Sequence, residues 1–149
     1  MGTEERGTVG GRMRIVYAPG CYDLLHEGHR NFLRRSKALG DFLIAGIVTD
    51  DGAAAYKRRP VQPEQTRLGN VRDLRYVDLA VLQPGTDPTP VLRSLVRLGI
   101  KPDLLTHGDD WQRLREGHET LEELGIGWAL VPYTHGVSTT DTIQVMEAR

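Results

Sequence analysis

The stretch GCYDLLHEGH, Gly20 to His29, is followed by RNFLRRSKALG. It puts two histidines, His26 and His29, three residues apart at the entry to a helix, so the two imidazoles share one helical face. Upstream lies RIVYA, Arg14 to Ala18, a short β-rich run closed by Pro-Gly, which predicts a strand and a turn. Downstream, Phe32, Leu33, Ala38 and Leu39 form a helical stripe over Glu27 to Leu39, stopped by Gly40. Strand, polar turn and helix thus set the unit on which the rest of the chain is read.

The same alternation continues. Asp41 to Val48, DFLIAGIV, is nearly all apolar, as expected of a strand covered on both faces in a parallel sheet. A polar loop, TDDGAAAYKRRPVQP, precedes an expected helix over 64–74 and a strand over 79–82. A helix over 88–100, a strand over 103–108, a helix over 113–124 and a strand over 128–132 follow. STTDTIQVMEA reads as a last helix, capped by Ser138 or a neighbouring threonine. About five strand–helix alternations predict an α/β domain, three-layered and Rossmann-like, with a five-stranded, mostly parallel sheet. One domain over 13–149 is expected, behind a Gly-rich, polar and disordered extension over 1–12.

Composition narrows the function. The 149 residues carry a formal net charge of −1, with 39% hydrophobic and 26% charged residues. That lacks the basic excess of a general nucleic-acid or membrane-surface binder. No apolar run reaches the length of a membrane span, and a single cysteine, Cys21, allows no intrachain disulfide framework. A cytoplasmic protein is expected.

In parallel sheets ligands bind beyond the carboxyl ends of the strands, and the unusual residues fall there. The His26–His29 pair admits three readings: a polar first turn, a metal site with Asp23 as a third ligand, or an anion site. For the last, the helix N-terminus offers N–H groups and a positive dipole end, and Gly28 allows close approach of a phosphate. YKRRP, Tyr56 to Pro60, is either a solvated run of charge or a phosphate clamp. GVSTTD, Gly136 to Asp141, is a helix cap or a second phosphate cradle. HGDDW, His107 to Trp111, is a strand-end turn or a carboxylate pair beside a phosphate site. Neither G-x-x-x-x-G-K-[ST] nor G-x-G-x-x-G occurs, which argues against a P-loop enzyme and a dinucleotide fold. The residues themselves lead to a nucleotide-handling α/β domain.

Together these motifs resemble the cytidylyltransferase-like family of nucleotidyltransferases, whose mark is H-x-G-H. The match runs from Met13 to Ile143 in the family's order: GCYDLLHEGH, YKRRPV, RYVD, HGDDW and GVSTTD. The resemblance implies CMP transfer from CTP to a small phosphorylated or phosphonate alcohol, with release of pyrophosphate. It implies that His26, His29 and Lys57 are catalytic. Gly20, Cys21, Tyr22, Gly28, Asp109, Tyr133, Thr134, Gly136, Val137, Ser138, Thr139 and Thr140 would bind the nucleotide. Asp23, Lys57 and Arg58 would meet the acceptor. Magnesium would travel with the triphosphate rather than on protein side chains, and RYVD, Arg75 to Asp78, implies a homodimer. RRPVQP is also similar to heptose-phosphate adenylyltransferases, so the alternatives are an ATP-dependent adenylyltransferase for a sugar phosphate, or a nucleotide-binding sensor without turnover. One departure stands out. The family usually reads R-T-E-G-[IV]-S-T where this chain reads YTHGVST, so Tyr133 replaces an arginine and His135 a glutamate. Arg58, Arg59 or Arg113 could supply the missing cation.

Overall fold

A computed structural model describes residues 11–108, 116–133 and 144–147. Strands β1 (Ile15–Gly20), β2 (Phe42–Val48), β3 (Leu79–Gln83), β4 (Leu104–His107), β5 (Gly127–Leu130) and β6 (Gln144–Met146) form one sheet. Its order is β3-β2-β1-β4-β5-β6. The first five strands are parallel, and β6 is antiparallel to β5. The helices are α1 (Glu27–Lys37), α2 (Asp50–Ala54), α3 (Glu64–Arg72), α4 (Thr89–Arg97) and α5 (His118–Leu124).

Both faces of the central strands are buried, as their apolar sequence predicts. Val16 and Ala18 of β1, with Leu43, Ala45 and Ile47 of β2, meet Phe32 and Leu33 of α1 and Val71 of α3. The alternate residues Tyr17 and Ile44 turn to the other face, against Leu92 and Leu95 of α4 and Leu121 of α5. This is the expected three-layer α/β sandwich. The chain runs outward through β1, β2 and β3, then crosses back to β4 beside β1. The switch point between β1 and β4 is where open α/β sheets make their binding crevice.

Five expectations need correction. The terminal helix is not formed where it is described: residues 144–146 are β6, whose backbone pairs Leu130 with Gln144 and Trp128 with Met146. The open edge of β5 offers that segment a hydrogen-bonding partner, which outweighs local helix preference. β1 runs on through Pro19 and Gly20, paired with Gly46 and Ile47. The loop over 49–63 contains α2, capped by Thr49 Oγ1 accepting from Gly52 N at 3.1 Å, with Asp50 and Asp51 in its first turn. Of the helix expected over 113–124, the described part is α5 from His118, preceded by Gly117 in a left-handed conformation at φ +90°; residues 113–115 lie outside the described residues. Residues 1–10 also lie outside them, but Arg12, assigned to the extension, is ion-paired with Asp103 at 3.0 Å.

Candidate active site

The turn from β1 into α1 is held in an unusual shape. Tyr22 and Leu24, neither a glycine, have φ of +56° and +52°, a conformation that costs of order 1 kcal/mol or more for each. Tertiary bonds hold it. Tyr22 is buried and its hydroxyl donates to Ala18 O at 2.9 Å. Its ring lies so close over Gly20 that a Cβ there would sit 2.9 Å from the ring carbons. The Asp23 carboxylate accepts from Val61 N and Gln62 N at 2.8 and 3.0 Å, and Leu24 N donates to Gln62 Oε1 at 3.1 Å. Asp23, expected to meet the acceptor or a metal, therefore anchors the end of the lysine loop to the first motif.

Beneath this junction lies Arg67 of α3, which the sequence did not single out. Its side chain is fully buried. Nη1 donates to Cys21 O at 2.8 Å and Val48 O at 2.7 Å, Nε to Gln62 O at 2.9 Å, and Nη2 pairs with Asp50 at 2.7 Å. One guanidinium thus joins the ends of β1 and β2, α2 and the lysine loop. Removing one partner from such a buried pair costs several kcal/mol. Arg67 also holds the Asp50 carboxyl below its ordinary pKa.

The two histidines cap α1 reciprocally. His26 Nδ1 accepts from Gly28 N at 3.1 Å, and His29 Nδ1 accepts from His26 N at 3.2 Å. This capping box is built from imidazoles instead of hydroxyl and carboxylate. A ring nitrogen that accepts carries no proton, so each neutral ring bears its N–H at Nε2. The rings stack with centroids 3.8 Å apart. Gly28 is buried and its N–H belongs to the cap, which removes that amide from the expected phosphate contact in this arrangement.

His26 and His29 line a cleft of about 510 Å³ with Cys21, Tyr22, Asp23, Leu24, Lys57, Arg58, Pro60 and Tyr133. Of the three expected loop cations, Lys57 and Arg58 line the cleft, whereas Arg59 is paired with Asp51 at 3.1 Å and Asp50 at 3.6 Å. Burial raises the Cys21 thiol pKa above its ordinary value, so this group is a poor nucleophile at neutral pH. Among the described residues no group of three His, Cys, Asp or Glu side chains could hold a metal ion. Asp109, Asp110, Arg113, Thr134, His135 and Gly136 to Thr140 lie outside the described residues. RYVD closes β3 onto β2: Asp78 accepts from Leu43 N and from Lys37 Nζ, both at 2.8 Å. No described helix is long and apolar enough to cross a membrane.

The cleft thus brings together residues from the turn after β1 (21–24, 26 and 29), from the loop after α2 (57, 58 and 60) and Tyr133 after β5, at the carboxyl-end rim of the sheet; Gly20, Gly28 and Arg59 are not among its lining. Comparison with known proteins points the same way. The chain is 35% identical over 134 residues to ethanolamine-phosphate cytidylyltransferase of Mus musculus, covering 89% of this chain and 32% of that protein. It is 37% identical over 134 residues to the bifunctional protein HldE of Desulfatibacillum aliphaticivorans, covering 88% and 26%. The chain therefore spans about a third or less of the length of these curated relatives. A lipopolysaccharide core biosynthesis protein from Thermoplasma volcanium superposes with a TM-score of 0.65 at 29% identity, covering 84% of this chain and 99% of that one. The cytidylyltransferase-like family model matches residues 17–145, and with the H-x-G-H turn at the switch point of a parallel sheet, the chain belongs to the cytidylyltransferase-like family.

Proposed function

We propose that the chain is a nucleotidyltransferase that moves a nucleoside monophosphate, CMP by preference, from the triphosphate to a small phosphorylated or phosphonate alcohol. One observation carries this reading: two imidazoles whose Nδ1 atoms are fixed by backbone amides line the same cleft as Lys57 and Arg58. An oxygen of the acceptor's phosphate forms a bond to the α-phosphorus. The bond from that phosphorus to the bridging oxygen breaks, and pyrophosphate leaves with the electron pair. The attacking oxygen is already ionised at neutral pH, so no general base is required. His26 and His29 donate from Nε2 to oxygens that gain charge in the transition state, and Lys57 and Arg58 neutralise phosphates. Preorganisation is the main contribution, since the Nδ1 bonds fix the rings before substrate arrives. Magnesium enters as part of the Mg–triphosphate substrate. We also infer a homodimer, from the similarity of RYVD to the family's interface segment.

The ATP-dependent reading is favoured by RRPVQP and by the similar identities to the cytidylyltransferase and to HldE, 35% and 37%. A pyrophosphate-release assay decides. It crosses CTP, ATP, GTP and UTP with phosphorylated alcohols, sugar phosphates and small phosphonates, with His29→Ala as control. Release with CTP and one acceptor, lost in the variant, is expected. Release with ATP alone moves the chain to the adenylyltransferase branch. Tight nucleotide binding without release from any pair would leave a sensor.

A further inference from the structure

Tyr133 lines the cleft beside His29, and its surroundings give it a specific task. Its ring meets His29 edge-on, with centroids 5.7 Å apart and planes at 85°. Phe32, one turn beyond His29 on the same face of α1, lies against the same ring, with centroids 4.9 Å apart. Tyr22 meets His29 in a second edge contact at 5.6 Å and 66°, and His26 stacks on it at 3.8 Å. His29 is therefore bounded by three aromatic rings while its Nδ1 accepts His26 N.

The backbone that carries Tyr133 is fixed as well. Val131 N donates to His107 O at 2.7 Å, and Arg35 Nη1 donates to Pro132 O at 3.3 Å. His29, Phe32 and Arg35 follow at three-residue intervals along α1, so one face of α1 engages Pro132 and Tyr133. On the far side the ring lies against Gly108: a Cβ at that position would stand 2.6 Å from Tyr133 Cζ. The absence of a side chain at Gly108 makes room for this ring.

We propose that Tyr133 is a positioning residue for His29: its ring holds the imidazole in the plane that keeps the Nδ1 bond to His26 N, and with it the tautomer that this bond sets, so that Nε2–H is directed into the cleft. Among the described residues, the cations that line the cleft are Lys57 and Arg58. The kinetic part of this inference rests on the nucleotidyl transfer proposed above. The structural part does not.

The test combines two readouts on Tyr133→Leu, Tyr133→Phe and Gly108→Ala. Nitrogen-15 NMR of the histidine side chains, without substrate, reports the His29 tautomer. Steady-state pyrophosphate release reports turnover. In the parent chain His29 is expected as a single Nε2–H tautomer. Tyr133→Leu, which fills volume without a ring, should give exchange between tautomers and lower kcat about 10- to 100-fold, with KM for the nucleotide changed far less. Tyr133→Phe should recover most of both signals. Gly108→Ala keeps the tyrosine but displaces it, and should reproduce the leucine variant, so misfolding of one variant does not end the test. An unchanged His29 spectrum in folded Tyr133→Leu and Gly108→Ala overturns the proposal, whatever kcat does. So does tighter nucleotide binding with undiminished kcat in Tyr133→Arg, which would mark the position as a charge site. If the parent releases pyrophosphate from no substrate pair, the enzymatic reading fails and the NMR arm alone judges the role of Tyr133.

Discussion

The described residues include two stacked histidine pairs, and they are built in opposite ways. His26 and His29 stack at 3.8 Å, with each Nδ1 accepting a backbone N–H and both residues facing the cleft. His107 and His118 stack at 5.2 Å, and their Nε2 atoms bond to each other at 3.0 Å, with Trp128 against both rings. In the first pair both rings adopt the same tautomer, which the backbone sets. In the second the two must differ, since one Nε2 donates and the other accepts. His107 is 1% exposed, and burial, helped by repulsion from His118, lowers its pKa to about 3. The same side chain thus stands either in the cleft, with Nδ1 held by the backbone, or as a neutral staple joining β4 to α5. Which nitrogen the neighbours occupy decides between them.

The contrast is sharpest where turnover separates from stability. His29→Ala should lower kcat by about 10²- to 10³-fold, the usual loss for one preorganised donor, with little change in the melting temperature. Equal loss of stability would merge the two pairs into one structural class. His118→Leu should do the reverse: a denaturant titration should show about 1–3 kcal/mol less stability, because a buried polar partner is lost, while kcat stays near the parent value. His118 does not line the cleft.

Acid should act through the second pair. The unfolded chain binds a proton at His107 near its ordinary pKa of 6.5, and the folded chain only near 3. Between those values the unfolded state holds more protons, so stability falls as pH is lowered through that window. The slope approaches ~1.4 kcal/mol per pH unit for this one group. Thermal melts across pH 4–7 should be steeper for the parent than for His107→Gln, and parallel curves would remove His107 as the cause.

The smallest effect divides the two duties of His26. Loss of an N-cap costs about 1 kcal/mol, so His26→Ala should be less stable by that amount. His26→Asn, which can still accept from Gly28 N, should restore stability without restoring turnover. Recovery of both would make the residue a cap and nothing more.

The sequence by itself determined the elements and the first motif. The apolar run of β2 and the alternation of strands and helices express local periodicity. H-x-x-H is visible because residues three apart on a helix share a face wherever that helix lies. A resemblance in five ordered motifs named the family. Two further local signals lie in the sequence: Thr49, which caps α2, and Gly117, which stands left-handed just before α5.

Tertiary structure decided the rest, because those facts depend on groups that meet from distant parts of the chain. EQTRLGNVR gives no sign that its first arginine is buried, since arginine is ordinarily exposed. Only the convergence of Cys21 O, Val48 O, Gln62 O and Asp50 makes burial of Arg67 tolerable. β6 forms because an open strand edge is available to it. The His107–His118 bond spans eleven residues and has no periodic signature. The Asp23 carboxylate holds Val61 N and Gln62 N, a bond across nearly forty residues that no local pattern announces. Tyr133 was legible as a departure from the pattern the resemblance implies, but its contact with His29 required the segment after β5 to meet α1.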